Sequence, residues 1–153
     1  MADLIEQSLY EADEHAWIEH QIDVLRSGDL AHLDRLHLVE YLTDMAINNR
    51  RELSSRLIKL YAHVVKWHVQ PTRRSRSWVL TILEQQRELR GIFKHSKTLR
   101  NLADATLAED YQAAVREAFA EMGPSVRSQR KDWSAQRFGV DDLLNFQIDD
   151  DAG

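Results

Sequence analysis

The chain has 153 residues, the size of one ordinary domain with a real core. It has no cysteine, which excludes disulfides, thiolate metal sites, iron–sulfur clusters and cysteine nucleophiles together, and its 5 Gly and 2 Pro are too few punctuators for many short strands. The net charge of −5 conceals three blocks: residues 1–49 carry 11 acidic and 2 basic side chains, residues 50–100 carry 3 and 13, and residues 101–153 carry 11 and 5.

In chain order, MADLIEQ places an acid where a signal peptide would carry positive charge. Ser8 and Glu11 have capping-box spacing, which predicts a helix from Ser8 to about Ser27, stopped by Gly28 in the left-handed conformation. Asp29 then caps a short turn bearing Leu30 and Leu33, and Asp34 is the N-cap of the next helix. Leu38, Leu42, Met45, Leu53, Leu57, Leu60 and Val64 recur at helical intervals, with a lapse at Ala46 to Asn49. This predicts two helices or one bent helix ending near Val69, before Pro71.

A third helix is expected over roughly Arg76 to Lys94, with Trp78, Ile82, Leu89 and Phe93 on its apolar face. Ser96 caps a fourth, which runs to about Met122 and carries Ala103, Leu107, Tyr111, Ala114 and Ala118. Gly123-Pro124 is a stop signal. Residues 124–139 read as irregular, followed by a short helix from Val140 to Asn145 that docks Leu143, Leu144 and Phe146. The fold expected is an all-α bundle of four to five main helices in a single domain over 1–153: a core at about 8–123, a C-terminal arm at 124–148 and a solvated tail at 149–153. No apolar run approaches the ~18 residues of a membrane span, so a soluble cytoplasmic protein is expected.

The most informative feature is a polar stripe before Pro71. Glu52, Arg56, Lys59, His63 and Lys66 are spaced by 4, 3, 4 and 3 and share one helix face, with Trp67 between it and the apolar face. A tryptophan beside His63 and Lys66 suggests partial burial, and buried charges must be paired. Asp13, flanked at helical spacing by Tyr10 and Trp17, and Glu40 are the candidate carboxylates. Arg73, Arg74 and Arg76, on a turn before a helix and beside Trp78, form a candidate anion-binding group. Trp17, Trp67 and Trp78 read as core. Trp133, in a segment with Arg127, Arg130, Lys131 and Arg137, reads as a docking anchor. There is no HExxH and no Glu-x-x-His; Asp29/His32 and Asp34/His37 have that spacing but lie near a helix boundary, so no metal or cofactor is expected.

Three stretches carry a resemblance: LYEADEHAWIEHQIDVLRSGDLAHLD; RRELSSRLIKLYAHVVKWHVQPTRRSRSWVLTILEQQREL with its His63, Lys66, Trp67, Gln70, Pro71, Ser77 and Trp78; and the later SKTLR and YQAAVREA. Together they resemble the bacterial domain of unknown function family 29, over roughly residues 8–146. The resemblance implies an all-helical fold and no assigned activity. It marks Tyr10, Asp13, Trp17, Asp34, Glu40, Glu52, Arg56, His63, Lys66, Trp67, Trp78, Arg87 and Tyr111. The chain departs from the family pattern at Tyr41 and Thr43, where acids are usual, at Ala46 and at Lys97. The functional expectation is a non-enzymatic structural or protein-interaction module, self-associating or bound to another protein. The alternatives are nucleic-acid or phosphate binding through the Arg73/Arg74/Arg76 turn, and a small enzyme using a His63/Lys66/Asp13 cluster.

Overall fold

The structure is a computed structural model that describes residues 9–148. It is all-α: no strand occurs among the described residues. The helices are α1 (Glu14–Ser27), α2 (Arg35–Val69), α3 (Arg76–His95), α4 (Lys97–Met122) and the short α5 (Val140–Leu144). Ser8 and the tail at 149–153 lie outside the described residues.

Local chemistry sets the boundaries. Residues 9–12 are helical, as expected from the Ser8 signal, but Asp13 interrupts the helix: its side chain accepts from the Ala16 N–H at 3.0 Å and caps α1, which starts at Glu14. Gly28 ends it with φ 73°, the left-handed stop that the sequence predicts. Asp34 caps α2, accepting from the His37 N–H at 3.3 Å. The Ser75 and Ser96 hydroxyls cap α3 and α4. The weak Ala46–Asn49 stretch does not break α2, which runs 35 residues without interruption. Segment 124–139 is more regular than expected, because Pro124–Trp133 forms ten residues of 3-10 helix.

The chain gathers into two compact units, Met1–Asn48 and Asn49–Gly153. The described part of the first is a hairpin of α1 with the opening turns of α2. Its buried side chains are Trp17, Gln21 and Val24. The Trp17 indole N–H donates to Asp34 Oδ2 at 2.9 Å, and the same oxygen lies 2.7 Å from His37 Nδ1. Tyr10 stacks on His37 with ring centroids 4.2 Å apart. Here the expected apolar stripe fails: Leu42 and Met45 are exposed, since His37, Leu38 and Tyr41 form the half-buried face of this part of α2.

The second unit is a helix bundle. Leu53, Leu57, Leu60, Val64 and Trp67 of α2 pack with Ile82 and Leu89 of α3 and with Ala103, Leu107, Tyr111, Ala114 and Ala118 of α4. The alanines of α4 let its backbone approach its neighbours closely. Val126, Trp133, Val140 and Leu143 of the C-terminal arm complete this core.

Candidate functional site

The polar stripe on α2 is a set of ion pairs within the second unit. Arg56 donates through Nε to Glu52 at 3.0 Å and through Nη1 to Gln85 at 3.2 Å, and its Nη2 lies 3.8 Å from Glu88. Two turns later, His63 Nδ1 lies 2.8 Å from the Lys59 carbonyl oxygen. A carbonyl only accepts, so the proton sits on Nδ1 and Nε2 is left as an acceptor, 3.5 Å from Lys66 Nζ. Burial holds the His63 imidazole below the usual histidine range, and the Lys66 ammonium adds to the effect against the opposing Lys59 hydrogen bond. The stripe therefore carries a neutral histidine between two lysines.

Lys66 is buried, and its ammonium lies 2.5 Å from Glu121 of α4 and 5.2 Å from the centroid of Trp78. A carboxylate and an aromatic face together replace the water the charge has lost. This corrects the expected pairing. The stripe does take carboxylates, but they are Glu121 on α4 and Glu88 on α3, with Glu52 on its own helix. Asp13 is committed to capping α1, and Glu40 is exposed. Spacing along one helix cannot show which residue of a distant helix arrives opposite. Glu52, Arg56 and Lys59, with Ser55 and Gln85, border a shallow hollow of about 250 Å³. Among the described residues the hydrogen-bond partners of His63 are Lys59 and Lys66, and neither is a hydroxyl nucleophile. Among the described residues no three His, Cys, Asp or Glu side chains are grouped to hold a metal ion.

The arginine turn divides. Arg74 stacks over Trp67 at 4.6 Å and donates to the Trp67 carbonyl oxygen at 3.1 Å, in the last turn of α2. It satisfies a free helix-end carbonyl and covers a core tryptophan, so it is a C-terminal clamp on α2. Arg73 and Arg76 are exposed beside it. Trp17 and Trp67 are core, and Trp78 is half-buried against the core. Trp133 is a correction: at 5% exposure it is a core residue, packed near His68 and Phe138 and covered by the Arg137 guanidinium at 4.2 Å. The basic residues around it face outward while the indole turns in, so it offers no anchor to a partner.

Several structural residues carry no signal in the sequence. The Tyr61 hydroxyl accepts from the Phe138 N–H at 2.8 Å and donates to the Phe138 carbonyl at 3.1 Å; burial pushes its pKa up to about 12. The Tyr111 hydroxyl lies 2.5 Å from the Trp133 carbonyl oxygen and 2.9 Å from that of Ala135, and donates to one at a time. Gln86 donates to the Leu143 and Phe146 carbonyls. Asp110, buried on α4, accepts from Ser54 and Thr106 hydroxyls. A tyrosine or glutamine at an apolar helical position reads as core filler, and its polar tip is visible only once the arm lies over it.

A family model for a domain of unknown function, DUF29, matches residues 9–144. The chain belongs to the DUF29 family. No curated protein matches it, and no solved structure does. Ten of the thirteen residues marked by the DUF29 resemblance fall into two groups in this structure. Tyr10, Trp17 and Asp34 meet around His37 in the first unit. Glu52, Arg56, His63, Lys66, Trp67, Trp78 and Tyr111 belong to the ion pairs, caps and core of the second. Asp13 caps α1, Glu40 lies on the surface, and Arg87 lies on the surface paired with Glu88. Every DUF29 residue with a resolved partner is thus occupied within the chain.

Proposed function

We propose that the chain is a non-enzymatic protein-interaction module that self-associates, docking its acidic hairpin on the basic outer face of α3 of a second copy. One observation carries this reading. The exposed large apolar side chains lie in two places only among the described residues: Ile22, Leu25, Leu30, Leu36, Val39, Leu42, Met45 and Ile47 in the hairpin, and Leu80 and Leu83 on α3. Exposed large apolar side chains concentrated in two segments are the kind of surface that proteins use for interaction.

The two patches are opposite in charge. The hairpin leucines stand among Glu19, Asp23, Asp29, Glu40 and Asp44, within a segment of net charge −9. On α3, Arg76, Leu80, Leu83, Arg87 and Lys94 follow a 4, 3, 4, 7 spacing and share one face; Glu84 stands beside the leucines and Arg87 pairs with Glu88, so the face keeps a small net positive charge. Two acidic hairpins would repel each other, whereas hairpin against α3 buries leucine on leucine inside a rim of complementary charge. Such a contact joins two different surfaces, so each copy offers a hairpin and accepts one.

Light scattering over a range of concentration and salt tests this. The wild type is expected to gain mass with concentration, and more so at low salt. Leu36→Glu/Val39→Glu and Leu80→Glu/Leu83→Glu, all at exposed positions, are each expected to be monomeric. Mixed together they restore one intact contact and are expected to pair. A wild type that stays monomeric throughout overturns the reading, and so does a failure of the two variants to pair.

A further inference from the structure

The corner where α4 ends gathers positive charge that no described residue neutralises. Gly123, at φ 84°, turns the backbone, and Pro124 opens the ten-residue 3-10 segment. A 3-10 helix completes a turn in three residues, so side chains at i and i+3 eclipse. Pro124, Arg127 and Arg130 therefore stand in one row. An α-helix would have splayed the two arginines by roughly 60°. Arg116, Phe119 and Ala120 of α4, with Gly123 just past its end, face that row, and together these residues line a cavity of about 270 Å³.

Arg56, Arg74, Arg90, Arg100 and Arg137 each take a carboxylate or a carbonyl oxygen of the chain. Arg116, Arg127 and Arg130 take neither, and neither of the residues holding further interactions, His20 and His68, is among them. Guanidinium groups aligned by the backbone repel one another, and an anion between them relieves that repulsion. The C-terminal end of α4 opposes an anion weakly, and three full charges outweigh it. The floor is apolar: Phe119 is buried, with Ala120 and Pro124 beside it.

We propose that this corner binds a small organic phosphate, with the arginines holding the phosphate and the Phe119–Pro124 wall taking the organic portion. Arginine forks match phosphate oxygens two at a time, and three of them suit a doubly charged group better than a carboxylate. The volume lies just below the ~300–1,000 Å³ of pockets for drug-sized ligands, which limits the body to about one ring. The site is independent of the self-association surface, since none of its residues belongs to either apolar patch.

Calorimetric titration of the full chain tests the proposal, with phenyl phosphate, inorganic phosphate and benzoate as probes. Phenyl phosphate is expected to saturate one site per chain and to bind more tightly than either of the others. Arg127→Ala and Arg130→Ala, both at exposed positions, are each expected to weaken it by roughly tenfold to a hundredfold, the worth of a lost charge-assisted hydrogen bond. Arg50→Ala, outside the corner, is expected to leave binding and fold unchanged. No saturable heat overturns the proposal, as does an Arg50→Ala effect equal to that of Arg127→Ala. Inorganic phosphate binding as tightly as phenyl phosphate removes the role of the apolar wall, and benzoate doing so removes the preference for phosphate; either result overturns the assignment.

Discussion

A lysine whose side chain keeps only 6% of its surface in solvent needs a nearby anion, and Lys66 has Glu121 at 2.5 Å. The two ends of this pair differ, because the Glu121 side chain is 48% exposed. Glu121→Ala leaves a buried ammonium unpaired and is expected to cost about 1–2 kcal/mol, held to that range by solvent at the glutamate end. Lys66→Met removes the charge and keeps the aliphatic stem, so it is expected to cost less than Glu121→Ala in urea unfolding. His63 sets a pH dependence. Burial depresses its folded-state pKa, so between that value and the ordinary ~6.5 the unfolded chain binds the extra proton and stability rises with pH. The contribution is complete above the ordinary histidine range and is lost as pH falls through the folded value. His63→Gln is expected to flatten the slope of unfolding free energy just below pH ~6.5, measured by denaturant titration at a series of pH values.

At the scale of elements, the C-terminal arm is the least regular part of the second unit and the most explicitly tied down. Runs of 3-10 helix beyond three or four residues are uncommon because their hydrogen bonds are poorly aligned, yet Pro124–Trp133 sustains ten. Val126 and Trp133 bury their side chains near its two ends, and the Tyr111 hydroxyl reaches its last carbonyl, that of Trp133, and that of Ala135 just beyond it. Tyr111→Phe keeps the ring packing and removes only that tie. It is expected to cost about 1–2 kcal/mol, with faster amide hydrogen exchange concentrated in residues 124–135. α2 illustrates the converse. Its Asn48-Asn49 stretch is weak helix material, but breaking a helix there would strand backbone groups for no packing gain, so the helix continues from Asp34 to the Pro71 stop.

At the scale of the whole molecule, one long helix serves two units of unequal substance. Residues 53–69 of α2 carry ten buried side chains and residues 35–48 carry none. Local stability follows burial, so amides of 38–48 are expected to exchange at a lower opening free energy than those of 57–69, by native-state hydrogen exchange. Uniform protection along α2 would contradict that ordering. The acidic hairpin, with its few buried groups and its row of exposed leucines, is the part of the chain with most to gain from a partner.

Read alone, the sequence determined the all-α class, the stops at Gly28, Pro71 and Gly123, the Ser96 cap, the apolar faces of α3 and α4 and the membership of the polar stripe. Each of these rests on spacing or backbone preference within a few residues, which the chain carries in itself. Only the tertiary structure decided that Lys66 meets Glu121 and not Asp13 or Glu40, that Trp133 turns inward, that Arg74 clamps α2, and that Leu42 and Met45 face solvent. Those outcomes depend on which distant helix arrives opposite a given face. Helical periodicity states that a face exists and is silent about what will cover it.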